Sequence, residues 1–228
     1  RSRGLGDVYK RQTLLSLIAL ATALISTAGN AKDDVFEFSH NRIAFNGLLT
    51  SSDSYTLEAT YHYMFNHYIG AGGGIGYWQV YYEDGRASGN GWEIDSDDNK
   101  PSNLYLRPSL VLKSPAIRIK SVNIGLFAEP GLMMGIPYKR VCINRIQNWT
   151  VSGYDYISTG KGQWLSFDLR AGVYANAGPC GFSIGYMMSN LDVYSQYRKL
   201  SYDGHTFGEF YPKRPFMQGA YLALSYYF

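Results

Sequence analysis

AYLALSYYF, residues 220–228, sets Ala220, Leu222, Leu224, Tyr226 and Phe228 on one face of an extended strand. Successive side chains of a strand point to opposite faces, so an apolar residue at every second position builds one continuous apolar surface. Such a stripe suits a wall with hydrocarbon on one side and something smaller or wetter on the other. A soluble antiparallel strand gives the same pattern when it stands alone, so the rest of the chain decides.

Seven earlier segments repeat the alternation between turn residues, at 35–49, 54–66, 68–82, 103–114, 119–134, 161–175 and 180–192. The second alternates Leu57, Ala59, Tyr61, Tyr63 and Phe65 with Thr56, Glu58, Thr60, His62 and Met64. The third places Gly70, Gly72, Gly74 and Gly76 opposite Ile69, Ala71, Ile75 and Tyr77, which permits close packing in a tight barrel. Pro108 and Pro130 fall inside the fourth and fifth segments, where a missing N–H weakens a ladder. Connections alternate in length: tight near 66–68, 114–118 and 176–179, long at 83–102, 135–160 and 193–214, with 50–53 a short exception. The apolar faces of segments two to eight carry no Lys, Arg, Asp or Glu through their middles. These features together predict an all-β, eight-stranded antiparallel transmembrane up-and-down β-barrel with both ends of the chain on the tight-turn side.

The only long apolar run, residues 13–25, is short for a membrane-spanning helix. With Lys10 and Arg11 before it and Gly29, Asn30 and Ala31 after it, residues 13–31 read as a signal peptide. Residues 1–12, RSRGLGDVYKRQ, read as adaptor sequence, and 32–228 as the barrel. The formal charge of +3 belongs to Arg1, Arg3, Lys10, Arg11 and Asp7, so the remainder is neutral and gives no reason to expect nucleic acid. Cys142 falls in a long loop and Cys180 beside a tight turn, at opposite faces of the membrane, so no disulfide is expected between them.

The inward set holds Glu58, His62, Arg107, Lys113, Glu129, Asp168 and Arg170. In so narrow a lumen such charges should pair in a hydrogen-bonded core. The alternative is a gate, with Arg107 and Arg170 rearranging against Glu129 and Asp168 to pass ions. The scattered His40, His62 and His67 lack metal-ligand spacing, and GAGGGIG at 70–76 lacks the Lys-Ser/Thr of a phosphate loop, so neither metal nor cofactor is expected. Asp95, Asp97 and Asp98 could hold a divalent cation but follow no known loop pattern. Tyr194, Tyr197, Tyr202, Phe207, Phe210 and Tyr211, with Arg198 and Lys199, read either as solvated loop or as a surface binding patch.

The strand count, loop alternation and terminal stripe resemble small Gram-negative outer-membrane β-barrels of the OmpA/OmpX type. The resemblance implies a monomer in outer-membrane lipid and lipopolysaccharide, with its termini periplasmic and its long loops outside. It also implies insertion by the barrel-assembly machinery, with Leu222, Leu224, Tyr226 and Phe228 as the assembly signal, and a role in envelope integrity, adhesion or defence. Met187, Met188, Ser189 and Asn190 are similar to the His-x-Ser-Asn region of outer-membrane lipid A deacylases, but Met187 stands at the position of the catalytic His and cannot take a proton from serine. His205 would have to fold back to replace it. The expectation is a non-enzymatic barrel, with a lipid A-modifying enzyme as the alternative.

Overall fold

The computed structural model describes residues 39–82 and 85–228. The expected adaptor, the signal peptide and the start of the first segment lie outside them. Eight strands make the wall: β1 Asn41–Thr50, β2 Ser54–Met64, β3 Ile69–Val80, β4 Ser102–Lys113, β5 Val122–Gly135, β6 Leu165–Ala177, β7 Cys180–Ser189 and β8 Met217–Tyr227. Each is antiparallel to the next, and β8 returns to β1 from Arg42 opposite Tyr227 to Thr50 opposite Gly219. The sheet therefore has no open edge through the wall, and this closed eight-stranded barrel fits the OmpA/OmpX type of outer-membrane barrel.

Alternation sorts the side chains as a membrane wall requires. In β2, Thr56, Glu58, Thr60, His62 and Met64 are buried, while Leu57, Ala59, Tyr61 and Tyr63 face outward. Phe45, Leu57, Ile75, Leu106 and Leu126 are each more than half exposed and form an apolar belt. Covering such a side chain with hydrocarbon is worth about 1.5–3 kcal/mol. Tyr61, Tyr63, Phe65, Tyr68, Tyr226 and Phe228 flank the belt at the tight-turn end, and Tyr82, Tyr138, Trp164 and Phe216 at the other, in the manner of aromatic girdles.

Glycine keeps the lumen narrow. Gly76 pairs with Tyr105 across β3 and β4, and a Cβ on Gly76 would lie 2.2 Å from Tyr105 Cζ. The missing side chain is the space the tyrosine ring occupies. The two prolines act on one seam: between β4 and β5 the register holds at Leu106 opposite Met134 and again at Ser109 opposite Gly131, but skips Arg107 and Pro108. Pro130 instead pairs with Leu169 of β6. The ladder loosens where the donors are lost, and the barrel still closes.

The long-loop end departs from the sequence expectation. The segment 135–160 contains a hairpin, Lys139–Gln147 with Thr150–Thr159, which joins Trp92–Ile94 and Ser88–Gly89 in a second, four-stranded sheet. Val141, Ile143 and Ile157 set one face of it into a buried cluster shared with the last loop. Tyr194, Tyr197, Phe207 and Tyr211 of that loop are buried, so they form a core instead of solvated loop or an exposed patch. Trp92 stacks on Phe207 with ring centroids 6.1 Å apart, and Tyr194 on Tyr211 at 5.5 Å. Buried apolar residues continue from Tyr105, Phe127 and Tyr221 in the lumen to Trp92 and Phe207 above it as one cluster. Cys142 lies in the hairpin and Cys180 opens β7 beside the tight turn; both are free thiols.

Candidate functional site

The lumen gathers polar side chains from most strands of the wall. β2 contributes Glu58 and His62, β4 Arg107, β5 Glu129 and β6 Asp168 and Arg170, and each points inward because it shares strand parity with its buried neighbours. β1 adds Arg42, which the sequence reading did not single out, and β8 adds Tyr221.

Their geometry is closed. Arg170 meets Glu58 with Nη1 2.6 Å from Oε1 and Nη2 2.9 Å from Oε2, and its Nε donates to Asp168 Oδ2 at 3.1 Å. Arg107 Nε donates to both oxygens of Asp168, at 2.9 and 3.0 Å, and its Nη2 to the Glu129 carbonyl at 2.9 Å. Glu129 accepts from Arg42 Nη1 at 2.7 Å, so it pairs neither with Arg107 nor with Arg170 through its carboxylate. Glu58 further accepts from Asn46 and from the Tyr105 hydroxyl, each at 2.8 Å, and Tyr221 donates to Asn46 at 3.1 Å. Three guanidiniums thus face three carboxylates with side chains no more than 2% exposed. Buried charges are tolerable only when paired and hydrogen-bonded in this way.

His62 and Lys113 border that cluster, with hydrogen-bond partners of their own. The His62 ring shares a 2.8 Å hydrogen bond with Ser109 Oγ across Gly72. Lys113 donates to the Tyr227 hydroxyl and lies over the rings of Tyr174 and Tyr227. Among the described residues, Arg42 Nε, Arg107 Nη1 and His62 Nδ1 are buried without a hydrogen-bond partner.

The deacylase-like segment is tied into the wall. Ser189 Oγ donates to the Phe167 carbonyl at 2.9 Å and accepts from Leu191 N–H at 3.1 Å, while Asn190 Oδ1 accepts from Phe167 N–H at 2.7 Å. Together they clip the end of β7 to the start of β6. Met187 is buried in the lumen, and His205 lies in the last loop near Trp92, Phe210 and Glu209.

Above the lumen, the aspartates of the first long loop are acceptors for the second sheet. Asp95 takes the Asn144 amide at 3.0 Å, and Asp98 the Cys142 N–H at 2.7 Å. The Asn144 hydrogen bond holds the Asp95 carboxyl below its ordinary range, with a backbone bond from Asp97 assisting. Burial pushes the Tyr197 hydroxyl well up, and it donates to the Asp98 carbonyl at 2.5 Å. Burial also lowers the Lys139 ammonium, with Asp98 opposing the shift. Among the described residues, no group of three or more His, Cys, Asp or Glu is placed to hold a metal.

Between lumen and cap lies a cavity of about 20 Å³, lined by Trp78, Tyr105, Met133 and Ser166 below and by Leu191 and Gln196 above. It has room for a water molecule. The Ser166 hydroxyl, buried and without a partner among the described residues, is the group such a water would satisfy.

No protein-family model and no curated protein sequence matches the chain. Solved structures similar to it include a major outer membrane protein from Thermus thermophilus, at 11% identity, 84% of this chain, 100% of that chain and a TM-score of 0.46. Neisserial surface protein A is similar at 9% identity, 82% and 96% coverage and a TM-score of 0.42. The outer membrane enzyme PagL is similar at 13% identity, 82% and 99% coverage and a TM-score of 0.39. No residue of this chain takes a role from these likenesses.

Proposed function

We propose that this chain is a non-enzymatic outer-membrane barrel whose lumen is a structural plug and whose long-loop end is an ordered surface platform. The supporting observation is the closed lumen network: Arg42, Arg107 and Arg170 are matched by Glu58, Glu129 and Asp168, and Glu58 bridges β1, β2, β4 and β6 through Asn46, Tyr105 and Arg170. Moving ions through it would require opening several charge-assisted hydrogen bonds at once, each worth about 1.5–3 kcal/mol. In this reading the termini are periplasmic, the cap faces outward, the apolar belt contacts lipid and lipopolysaccharide, and the barrel-assembly machinery inserts a monomer through β8.

Conductance tests the plug. The purified barrel in a planar bilayer should be silent; the Glu129→Ala/Arg170→Ala double variant tests the gate, which unchanged silence would sink, and steady wild-type conductance would mean a pore. The enzymatic alternative has a separate test. Lipid A mass spectra with and without expression should match, because the Ser189 hydroxyl is spent on backbone groups and, among the described residues, has no histidine hydrogen-bonded to it. Loss of an acyl chain on expression would overturn the non-enzymatic reading.

A further inference from the structure

The link between β4 and β5 carries the wall past the end of β4. Beyond Lys113, the short strand Ile117–Ile119 pairs with the start of β5, Ile117 opposite Ile124 and Ile119 opposite Val122. Opposed residues of an antiparallel pair share a face, and Val122 and Ile124 have the strand parity of Leu126 in the apolar belt. Ile117 and Ile119 therefore extend the outer face of the barrel, at 72% and 56% exposure. The hairpin is held in the wall. β5 stays paired with β6 as far as Val122 opposite Ala177, and Ser114 fixes the root: its N–H donates to the Leu126 carbonyl at 2.8 Å and its hydroxyl accepts from the Leu126 N–H at 2.9 Å.

The tip of the same hairpin is cationic. Arg118 and Lys120 are both exposed. By parity Arg118 starts on the inner face, opposite Asn123, but its Nε donates to the Lys120 carbonyl at 3.1 Å, which turns the guanidinium toward the tip. Among the described residues neither cation has an ion-pair partner, and every Asp and Glu side chain lies in the lumen or at the long-loop end. Lys120 also takes a left-handed backbone with φ of 55°, which Gly or Asn would adopt more easily, so the turn by itself gives no reason for a lysine. Elsewhere on this rim the belt ends in aromatic rings, such as Tyr63, Tyr68 and Tyr226. Here it ends in isoleucine and two free cations.

We propose that the tip of this hairpin binds the headgroup of an anionic phospholipid, with the phosphate at Lys120 and the Arg118 guanidinium and the acyl chains along Ile117, Ile119 and Leu126. Long basic side chains reach from an apolar surface to the headgroup layer in this way, and an anionic leaflet attracts them. The order along the wall fits one lipid molecule: apolar belt, then isoleucines, then cations. A soluble acidic partner would meet the cations and leave Ile117 and Ile119 uncovered, whereas a lipid covers both. The inference rests on the lipid-facing reading of the belt and names the headgroup chemistry at one place on its rim.

The test uses the full barrel in nanodiscs. Native mass spectra of barrel released from discs of mixed phosphatidylglycerol and phosphatidylcholine should show phosphatidylglycerol retained in preference. Arg118→Gln and Lys120→Gln should each lower that preference about fivefold. Lys199→Gln with Lys213→Gln removes two exposed cations at the long-loop end and should leave it unchanged. Hydrogen exchange at residues 114–121 should slow when phosphatidylglycerol replaces part of the phosphatidylcholine. Equal retention of the two lipids, or a preference that survives loss of both Arg118 and Lys120, would overturn the proposal. So would retention of lipid A in place of phosphatidylglycerol, which would make the hairpin a lipopolysaccharide contact. A barrel that does not enter discs of phosphatidylcholine alone removes the belt reading and the site with it; one that enters them and shows no preference removes only the site.

Discussion

Arg170 and Glu58 meet fork to fork across the lumen, through two parallel hydrogen bonds of 2.6 and 2.9 Å, although Arg170 is the direct ladder neighbour of Glu129. The guanidinium passes over the nearer carboxylate because Glu129 is already held by Arg42. Pairing across the lumen ties β6 to β2 without a shared strand edge and so braces the barrel from inside. The brace makes single and paired replacements differ in size. Glu58→Ala strands Arg170 and removes an acceptor from Asn46 and Tyr105, and it should cost about 3–5 kcal/mol in denaturant unfolding of the detergent-solubilised barrel. Glu58→Met with Arg170→Met removes both charges and should recover part of that loss. A double variant less stable than Glu58→Ala would show that the brace is not what couples these two residues.

The space for these side chains comes from glycine. A Cβ on Gly131 would lie 2.8 Å from the Cζ, Nε and Nη2 of Arg107, whereas one on Gly47 would meet nothing within 4 Å. Gly131→Ala should therefore displace the guanidinium from Asp168 and destabilise by about 1–3 kcal/mol. Gly47→Ala should stabilise by roughly 0.5–1 kcal/mol through the lower chain entropy of alanine. Unfolding midpoints of the two variants check both signs, and equal effects would remove Arg107 as the reason for the glycine.

The strands were legible because a membrane wall imposes its period on every residue. Phe45, Leu57, Ile75 and Leu222 had to face one way, and Glu58, Arg107, Asp168 and Arg170 the other, with no solvent to blur the alternation. Arg42 was missed because only the apolar face of its segment was weighed. Tyr105 and Tyr221 were missed for a different reason: tyrosine suits a lumen, a girdle or a loop, and parity alone does not say which hydroxyl finds a carboxylate. The second sheet was hidden by the rule that long connections are loops. Its signal was present in KRVCINRIQ and TVSGYDYIST, two alternating runs either side of Asn148 and Trp149. What the chain could not reveal locally is that the aromatics of 193–214 fold under that hairpin, since their burial depends on a partner sheet distant in sequence.

The cap should respond to acid through Asp95. Its folded-state pKa is lowered, chiefly by the Asn144 amide, so it adds stability above the ordinary carboxylate pKa of about 4 that is lost as pH falls through the folded-state value. Hydrogen exchange at Lys139–Gln147 should therefore quicken as pH drops below about 4 relative to exchange in the barrel wall, after correction for intrinsic rates. Asp95→Asn should remove this part of the pH dependence. A cap whose relative protection is unchanged from neutral pH to well below that range would show that the Asp95 contact does not hold the sheets together.

The hairpin turn offers the last prediction. Asn148 and Trp149 both take left-handed backbone conformations, with φ of 51° and 64°, in the two-residue link between the strands. That geometry favours Asn followed by Gly, and a bulky residue in the second place is strained by about 1–2 kcal/mol. Trp149 gains nothing from packing in return, because it is 98% exposed. Trp149→Gly should therefore slow exchange of the hairpin amides and leave the unfolding of the barrel unchanged. Faster exchange would mean that the indole contributes a contact that outweighs the strain of its backbone.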